Sequence, residues 1–377
     1  FFMIDMTNKC NLRCNYCLRN LEQEENCIST EKLRDIGKFI TTYCDEYKIA
    51  NISVQAWGGE PLLEKNKIIA LTKFITPQKT KVHYSIETNA TLLTNDVIEE
   101  LYKNHIGIGI SIDGDRKCHD LQRTFVSGKG SYDTVKKNLL QAQRYYKNKI
   151  GTITTITKQT AVHIEKIIEH LVLDLHISNI KLNFVHASTY THGQNQCLNT
   201  QEIADTELRI LYKIIELQER GYDVMEHNIF IKLKNLLFRE YADICLSCGC
   251  CGGEKMIVFD MDGNIYPCEL TDDASFVIGS IYKKESLIEQ IKMTIDKDKA
   301  FFKMKKAVEC EKCYWKFFCR GGCTVRALSE KRQMEVIDID HIECAINQVL
   351  YPALMELVLR KPHIVNQMLG EDLLVDE

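Results

Sequence analysis

The sequence predicts an α/β fold, a partial (β/α)6 TIM-like barrel followed by a small cysteine-rich domain, and three observations carry that expectation. Short β-like runs alternate with amphipathic helical patterns from Phe1 to about residue 190. There are six such runs, enough parallel strands with right-handed crossovers to curl into an incomplete barrel with functional residues at the strands' carboxyl ends. Ten of the 17 cysteines fall between Cys245 and Cys344, which sets that stretch apart. The expected division is a barrel over 1–190, a helical bridge over 191–242 and the cysteine-rich domain with a C-terminal helix over 243–377.

In chain order, the strand candidates are FFMIDM at Phe1, NISVQAW at Asn51, KVHYSIET at Lys81, GIGISID at Gly107, IGTITTI at Ile150 and IKLNFVH at Ile180. STEKLRDIGKFITTY from Ser29 reads as a helix capped by Ser29, with Lys32 at the position such a cap reaches, and SYDTVKKNLLQAQRYY from Ser131 reads as another. A helical span is expected from Thr200 to about Tyr241. MIVFDMDGNIYPC reads as a short hairpin turning at Asp262-Gly263. The stretch from Glu343 through LYPALMELVLRK reads as a terminal helix interrupted near Pro352.

Composition excludes several classes. With 45% hydrophobic and 27% charged residues, 377 residues are ample for one large or two medium cores, so a disordered polymer is ruled out. Lys and Arg number 48 against 52 Asp and Glu, a formal charge of -4, which leaves no global basic field for nucleic acid or an anionic membrane. No apolar run approaches the ~20 residues of a membrane span and no charged-then-apolar leader precedes the first strand, so a cytoplasmic enzyme is expected. Only five Pro and 19 Gly leave little material for linkers. Disulfide frameworks belong to short secreted domains, so thiols this clustered read instead as metal or iron–sulfur ligands.

The first chemical motif, Cys10-x3-Cys14-x2-Cys17, directly follows the first strand. Three thiolates on one tight loop can hold three irons of a 4Fe–4S cube and leave the fourth iron to a small molecule. A zinc knuckle is the alternative, but structural zinc wants four ligands and this loop has no His. CNLRCNYC resembles the motif of the radical S-adenosylmethionine (radical SAM) enzymes. The resemblance implies a SAM-binding 4Fe–4S cluster on Cys10, Cys14 and Cys17, and contact of Tyr16 with the adenine of S-adenosylmethionine, against simple loop packing of that ring.

Three more segments fall at strand ends. Trp57-Gly58-Gly59-Glu60-Pro61 closes the second strand, where glycines let backbone approach a ligand and Glu60 can meet an ammonium. It resembles the family's segment for the methionine amino group. Thr88-Asn89 ends the third strand and resembles the family's TN-x-x-L segment. Ser111 and Asp113 end the fourth, followed by HDLQR from His119 to Arg123. The resemblance implies Ser111 and Arg123 near the cofactor's carboxylate, the alternatives being strand-end hydrogen bonding for Ser111 and a surface ion pair for Arg123.

The second cysteine block runs Cys245-x2-Cys248-x-Cys250-Cys251, then Gly263-x4-Cys268, then Cys310-x2-Cys313-x5-Cys319-x3-Cys323, then Cys344. It resembles the SPASM extension of radical SAM maturases of peptides and proteins, which houses two auxiliary 4Fe–4S clusters. Carried over by residue, Cys310, Cys313, Cys319 and Cys344 would bind the outer cluster, and Cys250, Cys268 and Cys323 the inner one. Cys245, Cys248 and Cys251 compete for the fourth inner place; Cys245 or Cys248 is favoured because adjacent Cys250 and Cys251 are hard to aim at one cluster, and an inner cluster open to a substrate thiolate is the alternative. Cys27, Cys44, Cys118 and Cys197 read as buried small hydrophobes or incidental thiols.

The resemblance implies three 4Fe–4S clusters, S-adenosylmethionine, a low-potential donor such as flavodoxin or ferredoxin, and a 5'-deoxyadenosyl radical that takes hydrogen from the substrate. The leading expectation is a maturase of a ribosomally made precursor peptide that joins a cysteine sulfur to carbon as a thioether. The runner-up is anaerobic sulfatase maturation, which oxidises Ser or Cys to formylglycine. In that group an Asp after the YPC-type cysteine acts as base; here Glu269 stands there, the one candidate catalytic residue. A non-catalytic iron–sulfur carrier or peptide-binding module is the third, opposed by the GGE and TN segments. Peptide maturases often carry a leader-recognition domain before the barrel, whereas this sequence opens, without Met, at the first strand.

Overall fold

The computed structural model describes residues 1–19, 24–147, 149–185, 196–240, 245, 249–271, 274–296, 308–331 and 339–370. All six expected strands form, as Phe2–Thr7, Asn51–Gly58, Lys81–Thr88, Ile106–Ser111, Gly151–Ile156 and Asn179–Phe184. They lie side by side in chain order and are parallel throughout. In Gly151–Ile156 and Asn179–Phe184 every second residue is buried, the two-residue period of a sheet with one face covered by helices. The covered face supplies Ile4, Val54, Ile86, Ile110, Ile156 and Leu182, each at most 2% exposed, to one apolar core.

The helices start where the sequence places them. Ser29 Oγ accepts from Lys32 N at 3.1 Å and opens Thr30–Glu46, whose Leu33, Ile36 and Ile40 enter the core. Tyr132–Tyr146 likewise buries Val135, Leu139 and Ala142.

The sheet is wider than six strands. Ile257–Phe259 pairs in parallel with the first strand, Phe2 opposite Ile257, and continues through an antiparallel turn to Asn264–Tyr266 and then Gly279–Ser280. The expected hairpin is therefore present, with Gly263 at φ 84° in its turn. It extends the barrel sheet instead of standing apart, and Ile257, Phe259 and Ile265 share the barrel's core. The proposed domain boundaries at 190 and 242 fall on 186–195 and 241–244, outside the described residues.

Two expectations need correction. The helical span after Thr200 breaks into Thr200–Glu219 and His227–Phe238, because Gly221 takes φ 85° and Met225–Glu226 adds a strand beside Asn179–Phe184; Tyr241 lies outside the described residues. The terminal helix is not interrupted at Pro352: it runs unbroken from His341 to Arg360. Pro352 is exposed, so the carbonyl it leaves without an amide partner faces water, while buried Leu350, Tyr351 and Leu354 hold the turn in place. By length and composition alone this helix could cross a membrane, but its apolar side is packed into the shared core.

Candidate active site

The loop after the first strand folds on itself through Cys17 N donating to the Cys14 carbonyl at 3.1 Å, and Leu12–Cys14 forms a short antiparallel ribbon with Arg123–Phe125. Cys10, Cys14 and Cys17 lie within electrostatic reach of one another. Three donors face the thiols: Leu12 N is 3.4 Å from Cys10 Sγ, Asn89 Nδ2 3.9 Å from Cys10 Sγ, and Arg123 Nη1 3.9 Å from Cys14 Sγ. Burial pushes the Cys14 thiol up to about 12, Arg123 only partly opposing it, and raises Cys10 as well.

The GGE turn clamps this loop. Gly59 N donates to the Thr7 carbonyl and Glu60 N to the Lys9 carbonyl, both at 2.8 Å. A methyl on Gly58 or Gly59 would sit far inside contact distance of those carbonyl oxygens, and Gly58 takes φ 144°. The glycines thus permit approach to the protein's own backbone, not only to a ligand.

Glu60 also takes three donors from the protein itself. It is fully buried, Oε1 accepts from Leu62 N at 3.0 Å and Thr88 Oγ1 at 2.6 Å, and Oε2 accepts from Asn89 N at 2.8 Å. It braces the ends of the second and third strands against each other. Burial raises its pKa, with those three donors opposing the rise. Asn89, held this way, donates to Asn11 Oδ1 at 2.9 Å beside the cysteine loop.

Asp113, which the sequence places only at the end of the fourth strand, is the hub of this site. Its Oδ2 accepts from Tyr16 Oη at 2.8 Å, Gln122 Nε2 at 2.9 Å and Arg123 Nε at 2.9 Å, and its Oδ1 accepts from Thr155 N at 3.0 Å. Arg123 is therefore a buried ion pair, not a surface one, and its guanidinium lies 5.3 Å from the Tyr16 ring. Burial works against its charge, but Asp113, Tyr16 and Cys14 together hold the guanidinium above its ordinary pKa. His119, part of the same segment, is driven down to about 4 by burial and donates or accepts at Ser131 Oγ, 2.9 Å away. Ser111 ends the fourth strand on the sheet's open face opposite Ile153, and Tyr16 is buried beneath Arg123. Asp113→Ala should cost about 3–5 kcal/mol by leaving Arg123 charged, buried and alone. Denaturant melts of the parent and of Asp113→Asn, which keeps the shape, check this; a loss below about 1 kcal/mol for Asp113→Ala would show that Arg123 has another partner.

The later cysteines form two groups. Cys245, Cys250, Cys268 and Cys323 pack around Met3, Val258 and Tyr266 beside Trp57. Cys251 is buried in the adjoining turn, where its carbonyl accepts from Glu254 and Lys255 N. Cys248 lies outside the described residues. The second group is Cys344 with Cys313 and Cys310, both within its electrostatic reach, and Cys319 lies within reach of Glu343. Cys323 and Cys319 are each pushed up to about 11 by burial, and Cys268 well above its ordinary value by burial and by Glu269. Cys268 Sγ donates to Glu269 Oε2 at 3.1 Å. Among the described residues no three ligating side chains converge tightly enough for a single metal ion. Of the cysteines assigned no chemistry, Cys44 and Cys118 are buried, whereas Cys27 and Cys197 are half-exposed.

A strand-following CxxxCxxC loop, clamped by a GGE turn at the carboxyl end of a parallel sheet, agrees with the sequence profile of the radical SAM superfamily, which matches residues 4–171. Residues 4–171 are a radical SAM domain. Proteins with this domain bind a 4Fe–4S cluster and S-adenosylmethionine, and the Cys10, Cys14, Cys17 loop has the donor set for the first. The chain is 26% identical over 327 residues to the cysteine-type anaerobic sulfatase-maturating enzyme of Clostridium novyi, spanning 84% of this chain and 85% of that one. Among solved structures it resembles anSMEcpe with bound AdoMet and Cp18Cys peptide, at a TM-score of 0.80 and 21% identity over 98% of both chains. It also resembles Streptococcus suis SuiB bound to precursor peptide SuiA, at 0.64 and 17% identity over 89% of this chain and 74% of that one. These likenesses bear out the α/β radical SAM fold with its mostly parallel sheet.

Proposed function

We propose that this radical SAM enzyme is a maturase that oxidises a cysteine-class side chain within a peptide or protein to formylglycine, the class of activity carried by the names of its sulfatase-maturating relatives. The observation that carries the reading is Glu269. Its carboxylate adjoins Cys268 in the inner cysteine group and is sensed by Glu87 on the open face of the barrel, where a substrate side chain would enter. A carboxylate there can take the proton released as the target carbon is oxidised. Cys10, Cys14 and Cys17 would hold the SAM-binding cube, Cys245, Cys250, Cys268 and Cys323 the inner auxiliary cube, and Cys310, Cys313, Cys319 and Cys344 the outer one. When bound, the first cube and S-adenosylmethionine supply hydrogen abstraction, and the auxiliary cubes supply a path for the second electron. Tyr16, Arg123 and Asp113 keep one wall of that site in place. A peptide substrate and a low-potential donor of the flavodoxin or ferredoxin class are the partners.

Thioether formation in a ribosomal precursor peptide is the second reading, and one departure favours it: Glu269 stands where the sulfatase-maturating pattern has Asp. Anaerobic turnover with a cysteine-containing peptide separates the two by mass spectrometry. Formylglycine loses the sulfur and reacts with hydrazide; a thioether keeps the sulfur and loses two hydrogens. Glu269→Gln should lower either product about 10²-fold or more while 5'-deoxyadenosine still forms, and Glu269→Asp should restore product. Full product from Glu269→Gln would remove the residue from the chemistry.

A further inference from the structure

On the fourth, fifth and sixth barrel strands the residues facing the helices are buried, whereas Gly109, Gly151 and Lys181 stand on the open face. Glu87 stands there too, between buried Ile86 and Thr88 of the third strand. It is opposite Gly109 in register, and Gly109 is opposite Gly151. Two successive strands beside Glu87 therefore present no side chain.

Neither glycine is required by its backbone, because neither has positive φ. A methyl on Gly151 would meet nothing nearer than the Asn179 carbonyl at 3.8 Å, and one on Gly109 would touch Glu87 Cγ at 3.4 Å. What the pair provides is space, a slot floored by bare backbone. Glu87 is ringed by protein atoms and yet reachable by solvent along that slot. Among the described residues the charged groups it senses are Lys181 and Glu269, and the Gln55 side chain lies near it. Among the described residues two carboxylates stand against one ammonium beside the slot. A cation placed in the slot would pair with the carboxylate left over.

We propose that Glu87, at the wall of this glycine-floored slot, is a specificity-determining residue that receives a basic side chain of the substrate, close in sequence to the residue being modified. The assignment rests on the reading that the substrate is a peptide or protein. Two bare backbone neighbours are not needed to bind S-adenosylmethionine at the strand ends, but room for a long Lys or Arg side chain needs a floor of this kind.

The test uses the full chain, reconstituted anaerobically, and fluorescein-labelled peptides with one central cysteine and Arg, Gln or Glu at each of the four flanking positions. Affinity is read by fluorescence anisotropy, apart from turnover. At one position Arg should bind about tenfold more tightly than Gln, the scale of one partly desolvated ion pair. Glu87→Gln should erase that preference, and Glu87→Lys should transfer it to the Glu peptide at the same position, a gain that misfolding cannot produce. Gly151→Val, which narrows the slot without altering charge, should weaken the Arg peptide selectively. Binding without charge preference at every position, or an Arg preference that survives Glu87→Gln, would overturn the slot and leave the peptide reading standing. Failure of the parent to bind any of the peptides would overturn both.

Discussion

Cys14→Ala is expected to abolish formation of 5'-deoxyadenosine from S-adenosylmethionine. Cys14 is the middle of three thiols on the loop after the first strand, and each of the others is within its electrostatic reach. A cube that must leave one iron open has no ligand to spare, so two thiolates cannot hold it in the state the chemistry needs. The substitution should be mild for the fold, because the loop is held by contacts that do not involve the Cys14 side chain: Gly59 N to Thr7 O, Glu60 N to Lys9 O and the Leu12–Phe125 ribbon pair. Reconstituted parent protein should hold about twelve irons, three cubes of four, and the variant about eight. Loss of cleavage together with about four irons, at unchanged circular dichroism, is the expected result. Cleavage at the parent rate in a Cys14→Ala protein would remove this loop from S-adenosylmethionine chemistry.

Much of this architecture is legible in the sequence because its signals are local. The six strands announce themselves as short β-like runs, the later ones with a period of two, and Ser29 by the helix pattern that follows it. The motif of Cys10, Cys14 and Cys17 is legible because three ligands on one loop need no knowledge of the rest of the chain. What stays hidden is set by contacts between distant segments. Asp113 becomes a hub only when Tyr16, 97 residues away, is folded onto it, and a single Asp after a strand gives no hint of that. The parallel pairing of Phe2 with Ile257 likewise joins the two ends of the molecule, so the cysteine-rich region looks detachable in sequence when its hairpin is in fact a continuation of the barrel sheet. The Pro352 expectation fails for a related reason: the rule that proline stops a helix assumes the freed carbonyl has nowhere to go, and here the exposed face supplies water. Glu60 shows the limit of motif reasoning, since residue type alone does not disclose that Leu62 N, Thr88 Oγ1 and Asn89 N all donate to its carboxylate.

Cys268→Ala is expected to separate the two halves of the reaction: 5'-deoxyadenosine should still form, while modified peptide falls to background. Cys268 follows the hairpin that extends the barrel sheet and packs with Cys323, Cys250 and Cys245 against Met3 and Trp57. With Cys245, Cys250, Cys268 and Cys323 proposed to hold the inner cube, removing Cys268 would take one of four ligands, and those ligands come from three separated segments, so iron should be lost there and local folding should loosen. The Cys10, Cys14, Cys17 loop lies at the opposite end of the first strand from Met3 and is clamped by its own GGE turn, so cleavage of S-adenosylmethionine should survive. Oxidation of a peptide side chain removes two electrons, and only one is accounted for by the hydrogen abstracted; on the proposed reading the inner cube would accept the second, and without it that electron would have no acceptor. Misfolding would give a different pattern, with cleavage and product lost together and the circular dichroism altered. Cys268→Ser is the companion variant, since a hydroxyl fills the same buried space beside Glu269 without the soft thiolate an iron site prefers. If folded, iron-depleted Cys268→Ala still modified peptide at the parent rate, the inner group would be a structural fastening between the hairpin and the Cys310–Cys323 segment, and Glu269 would have to act without a redox centre beside it.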